Sequence, residues 1–213
     1  MSRTSAIIVK GTPRTEGPRT YIVFGDMRGG TTMIGGVMRA LGIFMGENIN
    51  EDNQESFQFN GPSVQDMRDS IEANNQKHQV WGWKFPHAAD YLDHVWDRIR
   101  NPHLVCVFRD PVSNGRGWNR WHPIGQIQAV QQCLLRQQKN LNLISLRNCP
   151  SILISYEKAE RHKAEFLTEF SEVLGIEPDH ERFDFRGFMA AESYKKLSDY
   201  MLDPAAAPAA PQE

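Results

Sequence analysis

Long apolar runs are missing from this 213-residue chain. No stretch approaches the roughly 18–20 consecutive apolar residues needed to cross a bilayer, so no membrane span is expected. The first ten residues carry too short an apolar stretch for a secretory signal, and the expected location is the cytoplasm. An excess of charge is missing too. Lys and Arg total 24 against 26 Asp and Glu, a net charge of −2, which gives no footprint for a nucleic acid or a membrane surface. Cysteine is scarce: Cys106, Cys133 and Cys149 show no metal-ligand spacing and cannot all pair, so no metal is expected. Cys106, within Leu-Val-Cys-Val-Phe, reads as a buried thiol.

The most telling deficiency is a single lysine. Residues 20–32 read Thr-Tyr-Ile-Val-Phe-Gly-Asp-Met-Arg-Gly-Gly-Thr-Thr, an apolar strand running into a glycine-rich turn and a helix. The phosphate loop of nucleotide triphosphatases asks for G-x-x-x-x-G-K-[ST] in that setting. Gly25, Gly30 and Thr32 stand in place, but Thr31 occupies the lysine position. Backbone N–H groups and the positive end of the helix can still hold an anion. The charge that meets a β/γ-phosphate is absent, and Arg28 supplies one inside the loop instead. That favours a phosphorylated ligand and argues against ordinary ATP hydrolysis. Met33, Val37, Met38 and Leu41 then give an apolar stripe at helical spacing, with Gly42 as its stop.

Strands and helices alternate along the chain. Strands are predicted at 5–10, 20–24, 79–85, 104–108 and 152–154. Helices follow the loop, then Ser63 and Asp66 as a capping box, and lie at 91–99, within 124–146, and at 164–174 with Gly175 as cap. This order predicts an α/β fold: a three-layer domain with a mainly parallel central sheet and a P-loop-like phosphate-binding turn. Residues 1–203 are expected to form one domain, and the Pro/Ala-rich tail 204–213 to be disordered. Ligands of such sheets sit outside the carboxyl ends of the strands. Arg28, Lys84, Arg109 and Tyr156 all fall at or just after a predicted strand end.

Three segments carry a resemblance to a known family. Met-Arg-Gly-Gly-Thr-Thr resembles the 5′-phosphosulfate loop, and Val-Phe-Arg-Asp-Pro the opening of the 3′-phosphate motif, of sulfotransferases that use 3′-phosphoadenosine 5′-phosphosulfate. Ile-Ser-Tyr-Glu-Lys-Ala, before a helix ending Val-Leu-Gly-Ile, is similar to that family's Tyr-Glu segment. Order and spacing agree over roughly residues 20–177. The resemblance implies that this donor is the co-substrate, with no metal required, and that Arg28, Gly29, Gly30, Thr31 and Thr32 hold its phosphosulfate. It implies Arg109 at the 3′-phosphate, through the bidentate fork a guanidinium offers. A serine commonly follows that arginine by eight residues in the family; here the position is Gly117, and Ser113, Asn114, Arg116 or the Gly117 N–H would have to compensate. Tyr156 resembles a tyrosine bordering the adenine, and reads equally as a sheet-edge core aromatic.

Lys84, in Trp-Gly-Trp-Lys-Phe-Pro-His, is the expected cation at the scissile bond; its bland reading is a solvated lysine at a strand terminus. A general base for the acceptor is expected at His87, with Glu47, Glu51 and Asp52 as carboxylate alternatives. Trp118 and Trp121, beside His122, are expected to pack as one buried helical face rather than to line an acceptor pocket. The polar stretch 46–60 and the segment 118–123 are expected to flank the acceptor, a small molecule or glycoconjugate precursor carrying a hydroxyl or amine. A magnesium-binding strand end with Asp110 as ligand is disfavoured by the adjacent Arg109; outside this reading stand a small-molecule P-loop kinase and a catalytically inert nucleotide-binding module.

Overall fold

The computed structural model describes residues 5–190 and 196–202, so the tail expected to be disordered, 204–213, lies outside the described residues. Five strands form the central sheet: β1 (Ile7–Lys10), β2 (Arg19–Phe24), β5 (Val80–Lys84), β6 (Pro102–Phe108) and β7 (Ser151–Ser155). Their spatial order is β1-β7-β6-β2-β5, with β1 antiparallel to β7 and every other pair parallel. Two short strands, β3 (Ile49–Asn50) and β4 (Glu55–Ser56), make a separate antiparallel ribbon. The helices are α1 (Thr31–Ala40), α2 (Val64–Lys77), α3 (Leu92–Val95), α4 (Pro111–Trp121), α5 (Gln126–Leu146), α6 (Tyr156–Arg161), α7 (Lys163–Leu174) and α8 (Phe185–Ala190).

The strand sequences explain the three layers. A strand points successive side chains to opposite faces. Tyr21 and Val23 of β2, Val105 and Val107 of β6, and Ile152 and Ile154 of β7 join one buried cluster with α1, α7 and α8. Ile22 and Phe24, Leu104 and Cys106, and Trp81 and Trp83 join a second cluster with α2, α3 and α5. Strands buried on both faces read as continuous apolar runs. All six residues of β2 are buried.

Chain order places the site. After β2 the chain goes to β5 on one side and then crosses to β6 on the other. The order of strands therefore reverses at β2, and the crevice beyond its carboxyl end is the switch point where ligands bind in open α/β sheets. The phosphate loop leaves β2 there.

Most predicted boundaries agree with the structure. Ser63 caps α2 reciprocally with Asp66, accepting from its N–H at 3.2 Å. Gly175 closes α7 at φ 68°. Three features differ. The helix expected over 91–99 is a short α3 between 3₁₀ turns at Ala88–Asp90 and Trp96–Arg98, although Leu92, Val95 and Ile99 are buried as its stripe requires. The polar stretch 46–60 contains the β3–β4 ribbon. The segment after Arg109 is helical: Asp110 Oδ1 accepts from Ser113 N at 2.8 Å and Pro111 fills the first helical position, which is a start signal written in the sequence.

Two adjacent glycines in the middle of α1 are permitted by what crosses them. A β-carbon at Gly36 would lie 2.1 Å from Phe188 Cζ, so α8 docks only because position 36 has no side chain. Ala is intrinsically better than Gly in a helix interior by about 0.8–1 kcal/mol, but the clash outweighs that gain. Gly36→Ala is expected to destabilise the fold by about 1–3 kcal/mol, the usual range for overpacking. In a Phe188→Ala background the same change should become stabilising. Urea unfolding checks both signs, and a stabilised single variant would contradict the packing described.

Candidate active site

The phosphate loop turns sharply between β2 and α1. Arg28 adopts φ 59° and Gly30 φ 94°, and Gly29 N donates to the Asp26 carbonyl at 3.0 Å. A β-carbon at Gly30 would fall 2.1 Å from Cδ2 of Tyr156, so the tyrosine ring lies directly on the loop. Helix α1 starts with no side-chain cap and no acidic residue in its first turn. Its leading N–H groups are the orphan donors that an anion satisfies. Thr31 is buried, and the Thr32 hydroxyl donates to the Asn53 carbonyl at 3.2 Å.

Lys84 is not a solvated strand end. It is 2 % exposed, and its Nζ donates to Glu55 Oε1 at 2.7 Å and the Asn53 carbonyl at 2.8 Å, with Thr32 Oγ1 at 3.4 Å. Its stem crosses α1 at Gly35, where a β-carbon would meet Lys84 Cγ at 3.1 Å. Burial pushes the ammonium below the usual lysine range, while the Glu55 carboxylate opposes that shift. Glu55 Oε2 in turn accepts from Asn60 Nδ2 at 2.9 Å. These groups line a cleft of about 370 Å³ whose walls also include Met27, Arg28, Thr31, Phe85, Pro86 and His87.

His87 therefore shares a cleft with Lys84 and Arg28. Burial, helped by Arg136 and Lys139 and opposed by Asp90, lowers its pKa from the ordinary histidine value, which leaves the imidazole neutral near pH 7. Its Nε2 is buried without a hydrogen-bond partner and lies 4.0 Å from Asp26 Oδ1. The three alternative carboxylates lie elsewhere. Glu51 forms a two-pronged pair with Arg39, Glu47 pairs with Lys77 at the surface, and Asp52 is exposed; none lines the cleft. The carboxylate that does is Glu55, from the same polar stretch.

Beyond the loop, Arg109 extends the edge. Its Nη1 donates to the Arg28 carbonyl at 2.6 Å, its guanidinium carbon sits 4.6 Å from the Tyr156 ring centre, and Glu157 is 3.8 Å away. Its Nε is buried without a hydrogen-bond partner. Gly117 packs beside Arg28, a β-carbon there reaching Arg28 Cβ at 3.4 Å, whereas Ser113 is exposed one turn earlier. The tryptophans overturn their expected role as a buried face. Trp121 is 57 % exposed, with the Arg28 guanidinium over its ring at 5.4 Å, and Trp118 is half-buried and donates from Nε1 to Asp26 at 3.3 Å. Their three-residue spacing does mark one helix side, but that side meets the polar loop rather than the core.

Asp26 and Asn114 join the site without having stood out in the sequence as a pair. Asp26 is 3 % exposed and its Oδ2 accepts from Asn114 Nδ2 at 2.8 Å. Burial raises its pKa, against hydrogen bonds from Cys133, Met27 and Trp118. The available signal was a carboxylate set inside a glycine-rich anion loop, where charge alone would disfavour it.

Similarity to known proteins lies in the fold. No family model and no curated protein sequence matches the chain. Solved structures do. The sulfotransferase domain of the Synechococcus PCC 7002 olefin synthase superposes with a TM-score of 0.59 at 14% identity, covering 96% of this chain and 91% of that one. The sulfotransferase domain from the curacin biosynthetic pathway gives 0.55 at 14% identity, covering 89% of each chain. At such identity the likeness is one of fold, and it agrees with the α/β, P-loop-type architecture described above.

The Lys84–Glu55 pair yields a stability prediction. Removing one partner of a buried pair costs about 3–5 kcal/mol, so Glu55→Gln should lose about that much near neutral pH. Lys84 is held below its unfolded value of 10.5, so the unfolded chain binds more protons in the window between the two, and stability there rises with pH. In Glu55→Gln the folded value drops further. The deficit of the variant should therefore shrink as pH climbs toward the wild-type folded value and level off above it. Urea unfolding from about pH 7 to about pH 10 measures it; a deficit independent of pH would contradict a charged Lys84 in the fold.

Proposed function

We propose that this chain is a sulfotransferase that moves a sulfuryl group from 3′-phosphoadenosine 5′-phosphosulfate to a hydroxyl or amine of a small-molecule or glycoconjugate acceptor, residues 1–203 acting as one catalytic domain. The observation that carries the reading is the composition of one cleft: an uncapped helix N-terminus, a loop arginine and a buried lysine converge beside a neutral histidine. The two solved structures described above are sulfotransferase domains by name, which supports it. The donor supplies an activated sulfuryl group on a 5′-phosphate, and a separate 3′-phosphate.

The residues present fit two anions at two places. The N–H groups of Gly30, Thr31 and Thr32 and the Arg28 side chain would hold the 5′ end. Arg109, with Gly117 and Ser113 on the neighbouring helix, would meet the 3′-phosphate, and Tyr156 would border the nucleoside. Lys84 would balance charge on the phosphate oxygen as its bond to sulfur breaks, acting by fixed electrostatics rather than by a proton. As the acceptor oxygen–sulfur bond forms, the acceptor's proton passes to His87 and the electron pair of the broken bond stays on the phosphate. His87 is preferred over Glu55 because both oxygens of Glu55 already accept, from Lys84 and Asn60, whereas His87 has a ring nitrogen to spare. A P-loop kinase is less well served. Thr31 replaces the loop lysine, and the Thr32 hydroxyl is engaged by Asn53.

A thermal-shift comparison tests the donor. 3′-Phosphoadenosine 5′-phosphate should raise Tm much more than ADP, with or without magnesium. Arg28→Ala and Arg109→Ala should each weaken that ligand by about 1.5–3 kcal/mol, the loss of a charged hydrogen bond. Preference for magnesium-ATP would favour the kinase, and binding without turnover across a broad acceptor panel the inert module.

Turnover tests the chemistry. Lys84→Met combined with Glu55→Gln leaves no orphaned buried charge, and should lower kcat about 10²–10³-fold, with a much smaller loss of donor-product affinity. His87→Gln should cost about 10²–10⁴-fold at neutral pH. Full turnover in His87→Gln, with its loss in Glu55→Gln alone, would move the base to the carboxylate.

A further inference from the structure

A second buried carboxylate stands at the site besides Glu55. Asp26 sits inside a glycine-rich loop, where its charge opposes an anionic ligand, yet besides the Cys133 thiol it is held by three nitrogen donors: Met27 N at 2.7 Å and Trp118 Nε1 at 3.3 Å on Oδ1, and Asn114 Nδ2 at 2.8 Å on Oδ2. The turn that carries His87 is fixed to the same place. Gly25 N donates to the Pro86 carbonyl at 3.1 Å, and Phe85 N to the Val23 carbonyl at 3.0 Å. Residues 25–26 and 86–87 are thus locked side by side. His87 Nε2 is buried, without a hydrogen bond, and 4.0 Å from Asp26 Oδ1. His87 also lines the cleft, and its Nδ1 makes no hydrogen bond among the described residues.

We propose that Asp26 is a positioning residue for His87: it keeps the Nε2–H directed at its own carboxylate, leaves Nδ1 for the cleft, and balances the imidazolium formed when Nδ1 takes the acceptor's proton. This rests on the sulfotransferase reading for its catalytic half only. At 4.0 Å the pair is not yet hydrogen-bonded; protonation of the ring supplies the attraction that closes it, and catalytic contacts are commonly long before the substrate arrives. Other charges also act on His87. Asp90, on the same segment, favours an imidazolium as well, but one of its oxygens already accepts from Arg136 and Lys139 of α5, and those two cations oppose the imidazolium. Cys133 of α5 contacts Asp26 as a neutral thiol, its pKa raised to about 12 mainly by burial. Across the cleft, Arg28 and Lys84 are cations, and Glu55 is already matched to Lys84.

The informative variant is Asp26→Asn, because the structure accommodates it. The new Oδ1 still accepts from Met27 and Trp118, and Asn114 can turn its amide so that its Oδ1, now buried and unpartnered, accepts from the new NH₂. The substitution therefore removes the charge at nearly constant shape. NMR titration of the His87 ring in the full chain, assigned by the signal missing from His87→Gln, should show the midpoint falling by about one unit. Trp118→Phe removes one donor from Asp26 and should move the midpoint upward, which keeps the test open if Asp26→Asn does not fold. In turnover, Asp26→Asn should lower kcat at least tenfold and shift the acidic limb of kcat/KM downward, while the thermal shift with 3′-phosphoadenosine 5′-phosphate is retained. An unchanged His87 midpoint, or a loss of donor-product binding as large as the loss of turnover, would overturn the proposal and reduce Asp26 to a structural tie. Should no acceptor be sulfated by the wild type, the functional reading falls, and the NMR titration still decides whether Asp26 governs His87.

Discussion

A lysine ammonium almost fully withdrawn from water is the constraint on which the rest of the site depends. A buried charge is tolerated only with a counter-charge and a complete set of hydrogen bonds. Lys84 obtains these from two separate parts of the chain: Glu55 and the Asn53 carbonyl of the β3–β4 ribbon, and Thr32 in the first turn of α1. The β3–β4 ribbon, two residues on each side, makes sense as the device that carries Glu55 and Asn53 to this ammonium. Gly35 makes sense as the gap in α1 through which its stem passes. A single charge thus fixes the phosphate loop helix, the ribbon and the end of β5 relative to one another.

The other wall of the site is organised around an anion. Asp26 joins the loop to α4 through Asn114 and Trp118, and Asn140 of α5 reaches the Gly25 carbonyl at 2.6 Å. Helix α5 packs on the face of the sheet opposite α1, and α4 packs on α5. The loop at the switch point is therefore clamped from both layers, by a cation on one side and a carboxylate on the other. Clamping from both sides suits a site that acts by fixed charge, where donors must already point at the reacting atoms before the bond breaks. Tyr156, from the next strand end, closes the arrangement by lying on Gly30, where any side chain would collide.

Much of this could be read from residue order alone. The alternation of strands and helices, the lysine-less loop, the Ser63 cap and the Gly175 stop are local signals, and the structure follows them. So is the placement of Arg28, Lys84, Arg109 and Tyr156 on one edge, because parallel strands put all their carboxyl ends together. What could not be read are pairings across long separations. Glu47, Glu51 and Glu55 look alike in a polar stretch. Only the ribbon decides that the first two turn to Lys77 and Arg39 while the third faces Lys84, which lies 29 residues away. The tryptophans illustrate a different limit. Spacing tells that Trp118 and Trp121 share a side of a helix, but not whether that side meets core or a polar loop. Helix α4 itself is legible in Asp110-Pro111 and Ser113, a local start signal that the glycines at 115 and 117 obscure.

A crystal structure of the full chain with 3′-phosphoadenosine 5′-phosphate decides most directly how the cleft is used. The 5′-phosphate should lie on the N–H groups of residues 30–32, within reach of Arg28 and Lys84, and the 3′-phosphate on Arg109. His87 should face the position the sulfuryl group would take, within about 3 Å of the oxygen of an alcohol or sugar bound there in place of the acceptor. A bisphosphate bound away from the loop, or seated in it with its 3′-phosphate clear of Arg109 and Lys84 still wholly committed to Glu55, would contradict the account.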